Sequence, residues 1–152
     1  MVQEFLHAER AKALFESGYN CAQAVLCAFE DVTDLPQQTA AKIASGFGGG
    51  IARMREVCGA VSGGVMVLSL ARGYADPKNA AAKTAHYRFV QEFADRFRQE
   101  TGSIICRELL QGVSTAPGAD PQTRTETYYR KRSCAELVAL SAQIVEDLLS
   151  QE

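Results

Sequence analysis

Apolar residues recur three and four positions apart along nearly the whole chain, and that spacing predicts helices rather than strands. Residues 3–16 carry Ala8, Ala11, Leu14 and Phe15 as a first amphipathic stripe, which Ser17, Gly18, Tyr19 and Asn20 interrupt. Asn20 reads as an N-cap, and Gln23 three residues on completes a capping box. Cys21 is therefore expected to open a second helix that ends near Asp31. Pro36 suits the first turn of a third helix, which the glycine-rich loop at 46–50 stops near Ser45.

The stretch after that loop organises the rest. Between positions 58 and 71 there is no Asp, Glu, Lys or Arg. The run is too short to cross a bilayer, which takes about 20 residues. It suits a helix over 58–72 that is buried on all sides. Gly59, Gly63 and Gly64 within it each cost about 1 kcal/mol relative to alanine. That cost is tolerable only where something packs closely, either another helix backbone or a cofactor or cysteine held against Cys58.

Asp76 and Pro77 then supply an N-cap and a first-turn proline for a helix running to about Glu100. Its apolar stripe is Ala82, Ala85, Phe89, Val90, Phe93 and Phe97. His86 lies beside that stripe with no second histidine at ligand spacing, and reads as a surface or boundary residue. Thr101 and Gly102 end the helix, and Ser103 is placed to cap a short one carrying Cys106, Leu109 and Leu110. Residues 112–127, with Gly112, Pro117, Gly118 and Pro121, read as a long loop. The aromatic and basic run at 128–132 reads as a solvated turn, with nucleic-acid or anion contact as the alternative. Ser133 and Glu136 form a capping box that opens a last helix at Cys134, with Leu137, Leu140, Ile144, Val145, Leu148 and Leu149 facing the core. The fold class expected is all-α: a single-domain helical bundle over 1–152, built around the buried helix at 58–72.

Composition narrows the function. A chain of 152 residues, 47% hydrophobic and 22% charged, suits one globular domain. A net charge of −2 gives no basic field for nucleic acid. No apolar run is long enough for a membrane span. The first ten residues lack a basic region followed by an apolar one, so no export signal is expected and the cytoplasm is the expected compartment. Thiols there are normally reduced, so Cys21, Cys27, Cys58, Cys106 and Cys134 call for a reading other than static crosslinks.

Four of the five share a placement. Cys21 and Cys134 follow caps, Cys106 stands three residues past Ser103, and Cys58 opens the central helix after a glycine-rich loop. Each thiol is thus expected in the first turn of a helix, where free N–H groups and the macrodipole favour thiolate, the form that acts as nucleophile or metal ligand. Arg53 and Arg55 lie within five residues of Cys58, and Arg130, Lys131 and Arg132 add positive charge near Cys134. Cys27, about 240° round a helix from Cys21 and among Val25, Leu26 and Phe29, reads as a core residue. No Cys-x-x-Cys occurs, so thioredoxin-type and zinc-ribbon pairings are absent. No Gly-Lys-Ser/Thr follows the glycine-rich loop, and no catalytic triad or histidine-rich metal motif is present.

Cys21, the run Cys58-Gly59-Ala60-Val61-Ser62-Gly63, and single cysteines at 106 and 134 resemble the redox-active protein family named for its C…GCAxxG…C…C pattern. Phe-Gly-Gly-Gly at 47–50 and the start of the second helix at 20–25 are similar to that family too. The resemblance covers nearly the whole chain. It implies that Cys21, Cys58, Cys106 and Cys134 are the signature cysteines, with redox activity or a prosthetic group such as an iron–sulfur cluster. Arg55 departs from the small residue expected before Glu56-Val57-Cys58, which bears on the entrance to the site.

Three readings stay open. In the first, the four cysteines are catalytic in thiol–disulfide or electron-transfer chemistry with an unidentified redox partner, and Cys58 attacks or is oxidised. In the second, the same four bind an iron–sulfur cluster or zinc. In the third, the chain is a helical binding module with buried cysteines. The first two require the four thiols to converge, with Cys58 closest to Cys21 or Cys106.

Overall fold

In a computed structural model the residues described are 6–110, 118, 119, 124 and 134–151. They form an all-α structure. Eight α-helices occur among them: α1 (Leu6–Glu16), α2 (Cys21–Cys27), α3 (Glu30–Thr33), α4 (Gln37–Ala44), α5 (Gly59–Arg72), α6 (Ala80–Thr101), α7 (Cys106–Leu109) and α8 (Cys134–Leu149). A 3-10 turn at Ser45–Phe47 extends α4. The only extended pairing among the described residues is an isolated antiparallel bridge between Val57 and Ile105.

Helix α5 lies at the centre, against α2, α8 and α6, while α1 packs across α2 and α8. Phe15, Leu26, Phe29, Leu68, Phe93, Phe97, Val138 and Leu148 are fully enclosed between these helices. Burying each such side chain stabilises the fold by about 1.5–3 kcal/mol before entropy is counted. The glycines of α5 explain how α2 comes so near. A Cβ on Gly63 would stand 2.7 Å from the Ala22 carbonyl oxygen, and one on Gly59 would stand 3.1 Å from both the Ala22 nitrogen and the Cys21 Cβ. Both expected neighbours are therefore present, a helix backbone and a partner cysteine. Ser141 on α8 locks the other side of α5 by donating to the Ala60 carbonyl at 2.6 Å.

The structure departs from the sequence reading at several boundaries. Helix α2 ends at Cys27, and 30–33 forms a separate turn of helix, so the second helix does not run to Asp31. Helix α6 begins at Ala80 rather than Pro77. Asn79 caps it by accepting from the Ala82 N–H at 3.0 Å, while Asp76 accepts from the Lys78 N–H within the preceding turn. Helix α5 is enclosed through Leu68, but Ser69 to Arg72 are exposed, so its last turn is not buried on all sides. His86 is buried at 8% exposure and Ala85 is exposed, the reverse of the expected order. His86 shares a helical face with Phe93 and Phe97, which are also buried, and Ala85 lies off that face. Ser103 caps no helix that it precedes directly; it accepts from the Ile105 N–H at 2.9 Å, and α7 starts at Cys106. The loop expected at 112–127, apart from 118, 119 and 124, lies outside the described residues, as do the turn at 128–132 and the Ser133 cap. No helix among the described residues is long and apolar enough to cross a membrane.

Candidate functional site

The loop between α4 and α5 has an unusual backbone. Gly49, Gly50, Ile51, Ala52 and Arg53 run consecutively at φ +67°, +70°, +66°, +48° and +67°, and Arg55 follows at +63°. Left-handed conformation costs a non-glycine residue about 1–2 kcal/mol, and such residues normally occur singly. The loop is held by bonds that double back over it: Ala52 N–H to Gly46 O at 2.9 Å, Arg55 N–H to Gly49 O at 3.1 Å, and Glu56 N–H to Gly50 O at 2.8 Å. The consequence is placement. The loop delivers Val57 to its bridge with Ile105 and sets Cys58 as the N-cap of α5.

Each signature cysteine is positioned by its own element. Asn20 caps α2 with a complete box: its side chain accepts from the Gln23 N–H at 2.9 Å, and its N–H donates to Gln23 Oε1 at 3.0 Å. That box makes Cys21 the first residue of α2. Cys106 is the first residue of α7, and its N–H donates to Glu56 O at 2.6 Å. Cys134 is the first residue of α8. The four thiols, 21, 58, 106 and 134, line one cavity of about 70 Å³. Small-molecule sites usually offer about 300–1,000 Å³. The space therefore suits chemistry among the thiols more than a metabolite-sized substrate.

The expectation of low thiol pKa is overturned where the shift is resolved. Burial pushes Cys58 up to about 12, although the N–H groups of Ala60 and Val61 act in the opposite direction. The Cys21 thiol is raised well above its ordinary range, first by its hydrogen bond with the Cys134 thiol and then by burial and by the other three thiols. A partial helix charge is weaker than the desolvation of a sulfur anion, so enclosure decides the sign. Among the other thiols, Cys134 acts most strongly on Cys21, ahead of Cys58 and Cys106. All five cysteines are thiols, with no disulfide among them.

Two arginines reach the cavity. Arg55 Nη1 stands 3.8 Å from Cys106 Sγ, so the residue that departs from the expected small side chain brings a cation to a signature thiol. Arg124 donates to the carbonyls of Phe15 and Tyr19, and its guanidinium stacks over the Phe15 ring at 4.3 Å. Sequence reasoning did not single out Arg124, because one arginine in a loop rich in turn residues carries no periodic signal. Cys27 stays apart in the core, with its S–H directed to the Gln37 carbonyl at 3.6 Å. Four thiols are the donor set that iron–sulfur clusters and structural zinc use. Among the described residues, however, no group of three or more His, Cys, Asp or Glu side chains is arranged to hold a metal ion.

An all-helical protein with four thiols enclosed at one cavity is the class that fold and site define. The chain belongs to the family described as "Putative redox-active protein (C_GCAxxG_C_C)", which matches residues 19–148. No curated protein and no solved structure matches the chain.

Proposed function

We propose that the four-cysteine centre is a dithiol–disulfide site in which Cys21 and Cys134 are the pair that is oxidised and reduced. The observation that carries this reading is that both thiols line one cavity of about 70 Å³, each as the first residue of its helix, and that Cys134 is the thiol acting most strongly on Cys21. Two thiols that share so small a cavity can be joined with little movement of the helices that bear them. The reaction is an exchange: the partner's S–S bond breaks, the Cys21–Cys134 bond forms, and two electrons and two protons pass to the partner as two thiols. Cys106, 3.8 Å from Arg55, starts it: its sulfur bonds one partner sulfur as the other leaves as a thiol. Cys21 displaces the remaining partner thiol to give a Cys21–Cys106 bond, and Cys134 then attacks Cys21 and releases Cys106 as a thiol. Cys58, held as a thiol, closes the site from the side of α5. The chain acts as one helical domain in the cytoplasm, with a disulfide-bearing redox partner and no nucleic-acid or membrane ligand.

Equilibration with glutathione disulfide, followed by alkylation and peptide mass analysis, tests this. The expected result is loss of two free thiols and a 21–134 linkage. Absence of any intramolecular disulfide, or an undiminished total yield of intramolecular disulfide in Cys134→Ser, would sink it.

A second reading rests on Arg55 and Arg124 lining the same cavity as the four thiols. In it Cys21, Cys58, Cys106 and Cys134 hold an iron–sulfur cluster, whose net negative charge with four thiolates the two guanidinium groups offset. Bound there, a cluster supplies one-electron transfer. Anaerobic purification with iron analysis and a visible spectrum separates the two. Stoichiometric iron with a visible band supports the cluster; colourless, metal-free protein supports the dithiol pair.

A further inference from the structure

We propose that the four-thiol cavity is also a hydroperoxide site, in which Cys106 reduces hydrogen peroxide and Arg55 stabilises the oxygen that departs. This activity rests on the dithiol reading above for its second half, and it adds a small oxidant to that centre.

Cavity size restricts what can react there. The space lined by Cys21, Cys58, Cys106 and Cys134 is about 70 Å³. One water needs about 10–15 Å³ of such space, so the cavity takes a molecule of a few atoms and nothing larger. Three of the thiols are nearly enclosed, with Cys58 at 5%, Cys106 at 8% and Cys134 at 9% exposure. An oxidant of two oxygen atoms fits beside them with the helices as they stand, whereas a partner's disulfide has to be admitted by an opening of the site.

Charge selects the sulfur that attacks. Arg55 and Cys106 both line the cavity, and Arg55 Nη1 donates to Cys106 Sγ at 3.8 Å. No Asp or Glu lines the cavity among the described residues. Glu56, next to Arg55 in the chain, pairs instead with Arg107 at 3.2 Å. A guanidinium carries five N–H donors, so one contact with sulfur leaves others for an oxygen bound beside that sulfur. Such a cation supports both the thiolate that attacks and the hydroxide that leaves. Cys58 and Cys21 are pushed toward the thiol form, which makes them poorer attackers than a sulfur with a guanidinium beside it.

The chemistry balances in two steps. The Cys106 thiolate attacks one peroxide oxygen, an S–O bond forms as the O–O bond breaks, and the hydroxide released takes up the proton that Cys106 gave up. Sulfur is oxidised by two electrons to sulfenic acid, and one water leaves. The Cys21 sulfur then attacks the Cys106 sulfur and the S–O bond breaks. The Cys21 proton leaves with the hydroxyl as a second water. The resulting Cys21–Cys106 bond passes to Cys134 by the exchange described above. In sum, one peroxide and two thiols give one disulfide and two waters.

The test mixes the reduced full chain with one equivalent of hydrogen peroxide, follows peroxide consumption, and maps thiols by alkylation and peptide mass analysis. Two thiols should be lost per peroxide, at least about a hundredfold faster than glutathione reacts at the same pH. Cumene hydroperoxide, too bulky for the cavity, should react at least about tenfold more slowly than hydrogen peroxide. Arg55→Gln should slow the reaction about tenfold or more, and Arg55→Lys, which keeps the charge, should recover part of the loss. If neither variant folds, the comparison of the two hydroperoxides on the parent chain decides. A rate no faster than that of glutathione, equal rates for the two hydroperoxides, or an unchanged rate in folded Arg55→Gln would overturn the proposal. A 21–134 linkage from glutathione disulfide without fast peroxide consumption leaves the dithiol reading standing alone. Fast, Arg55-dependent oxidation of Cys106 by peroxide without any 21–134 linkage keeps the peroxide step and removes that reading.

Discussion

Cys58 and Cys106 hold each other in place through their backbones. The N–H of Cys58 donates to the carbonyl of Ile104 at 2.8 Å, and the N–H of Cys106 donates to the carbonyl of Glu56 at 2.6 Å. Each cysteine thus bonds two residues upstream of the other, on either side of the Val57–Ile105 bridge. Two residues 48 positions apart in the chain (106 − 58) are thereby fixed as the first residues of, or the caps to, two helices that open on one cavity. The sulfurs inherit that placement without needing to bond.

Gly50 is where this arrangement is most vulnerable. A Cβ there would stand 2.7 Å from the Cys106 Cβ and 2.7 Å from the Glu56 nitrogen, at a φ of +70°. Gly50→Ala is expected to destabilise by about 1–3 kcal/mol and to lower the yield of the 21–134 disulfide. Gly46→Ala, with nothing within 4 Å of its Cβ, should stay within about 0.5 kcal/mol of the parent. Urea denaturation of the two variants checks the contrast, and equal stability would contradict it.

Stability should fall at alkaline pH. The Cys58 thiol titrates near an ordinary 9.0 when exposed and near about 12 in the fold. Between those values the unfolded chain has released the proton and the folded one has kept it, so rising pH favours unfolding. The contribution is intact below pH 9 and is lost by about pH 12, amounting to roughly 4 kcal/mol. Cys21 shifts in the same direction and adds to the slope. Denaturation midpoints from pH 8 upward should decline less steeply in Cys58→Ala. Parallel profiles would show that burial of this thiol does not govern the effect.

Much of this was legible in the sequence, and the exceptions have physical causes. The Asn20–Gln23 box, the uncharged run at 58–71 and the capped cysteines gave the helices and their meeting point, because caps and periodicity are local signals. The thiol pKa direction was not legible. A helix terminus is visible in sequence, but the desolvation that outweighs it comes from neighbours on other elements. His86 was misplaced because it is polar, although its spacing from Val90, Phe93 and Phe97 sets it on the stripe that packs. Positive φ at Gly49 and Gly50 follows from the glycine-rich loop, but its continuation through Ile51, Ala52 and Arg53 was hidden because those residues are not glycines.

Cys27 offers a control within the same helix as Cys21. It is buried, outside the cavity, and directed toward the Gln37 carbonyl. Cys27→Ala should cost about 1 kcal/mol in packing and leave both the thiol oxidation and any bound iron as in the parent. Cys21→Ser, by contrast, should abolish the disulfide. Loss of redox response in Cys27→Ala would mean that the wrong four cysteines had been assigned.

The final prediction concerns the same substitution made at two places with opposite signs. Ala52 is exposed and sits at φ +48° in the left-handed run. Glycine there removes a conformational penalty of about 1–2 kcal/mol and gives back about 0.5–1 kcal/mol in the greater freedom of the unfolded chain. Ala52→Gly should therefore stabilise the protein by up to about 1.5 kcal/mol. Ala85→Gly, at an exposed position inside α6, should destabilise by about 1 kcal/mol, since it adds only that freedom. Thermal and urea unfolding of both variants measure the pair. If Ala52→Gly destabilises as much as Ala85→Gly, the left-handed run is not strained, and the placement of Cys58 has no conformational cost to overcome.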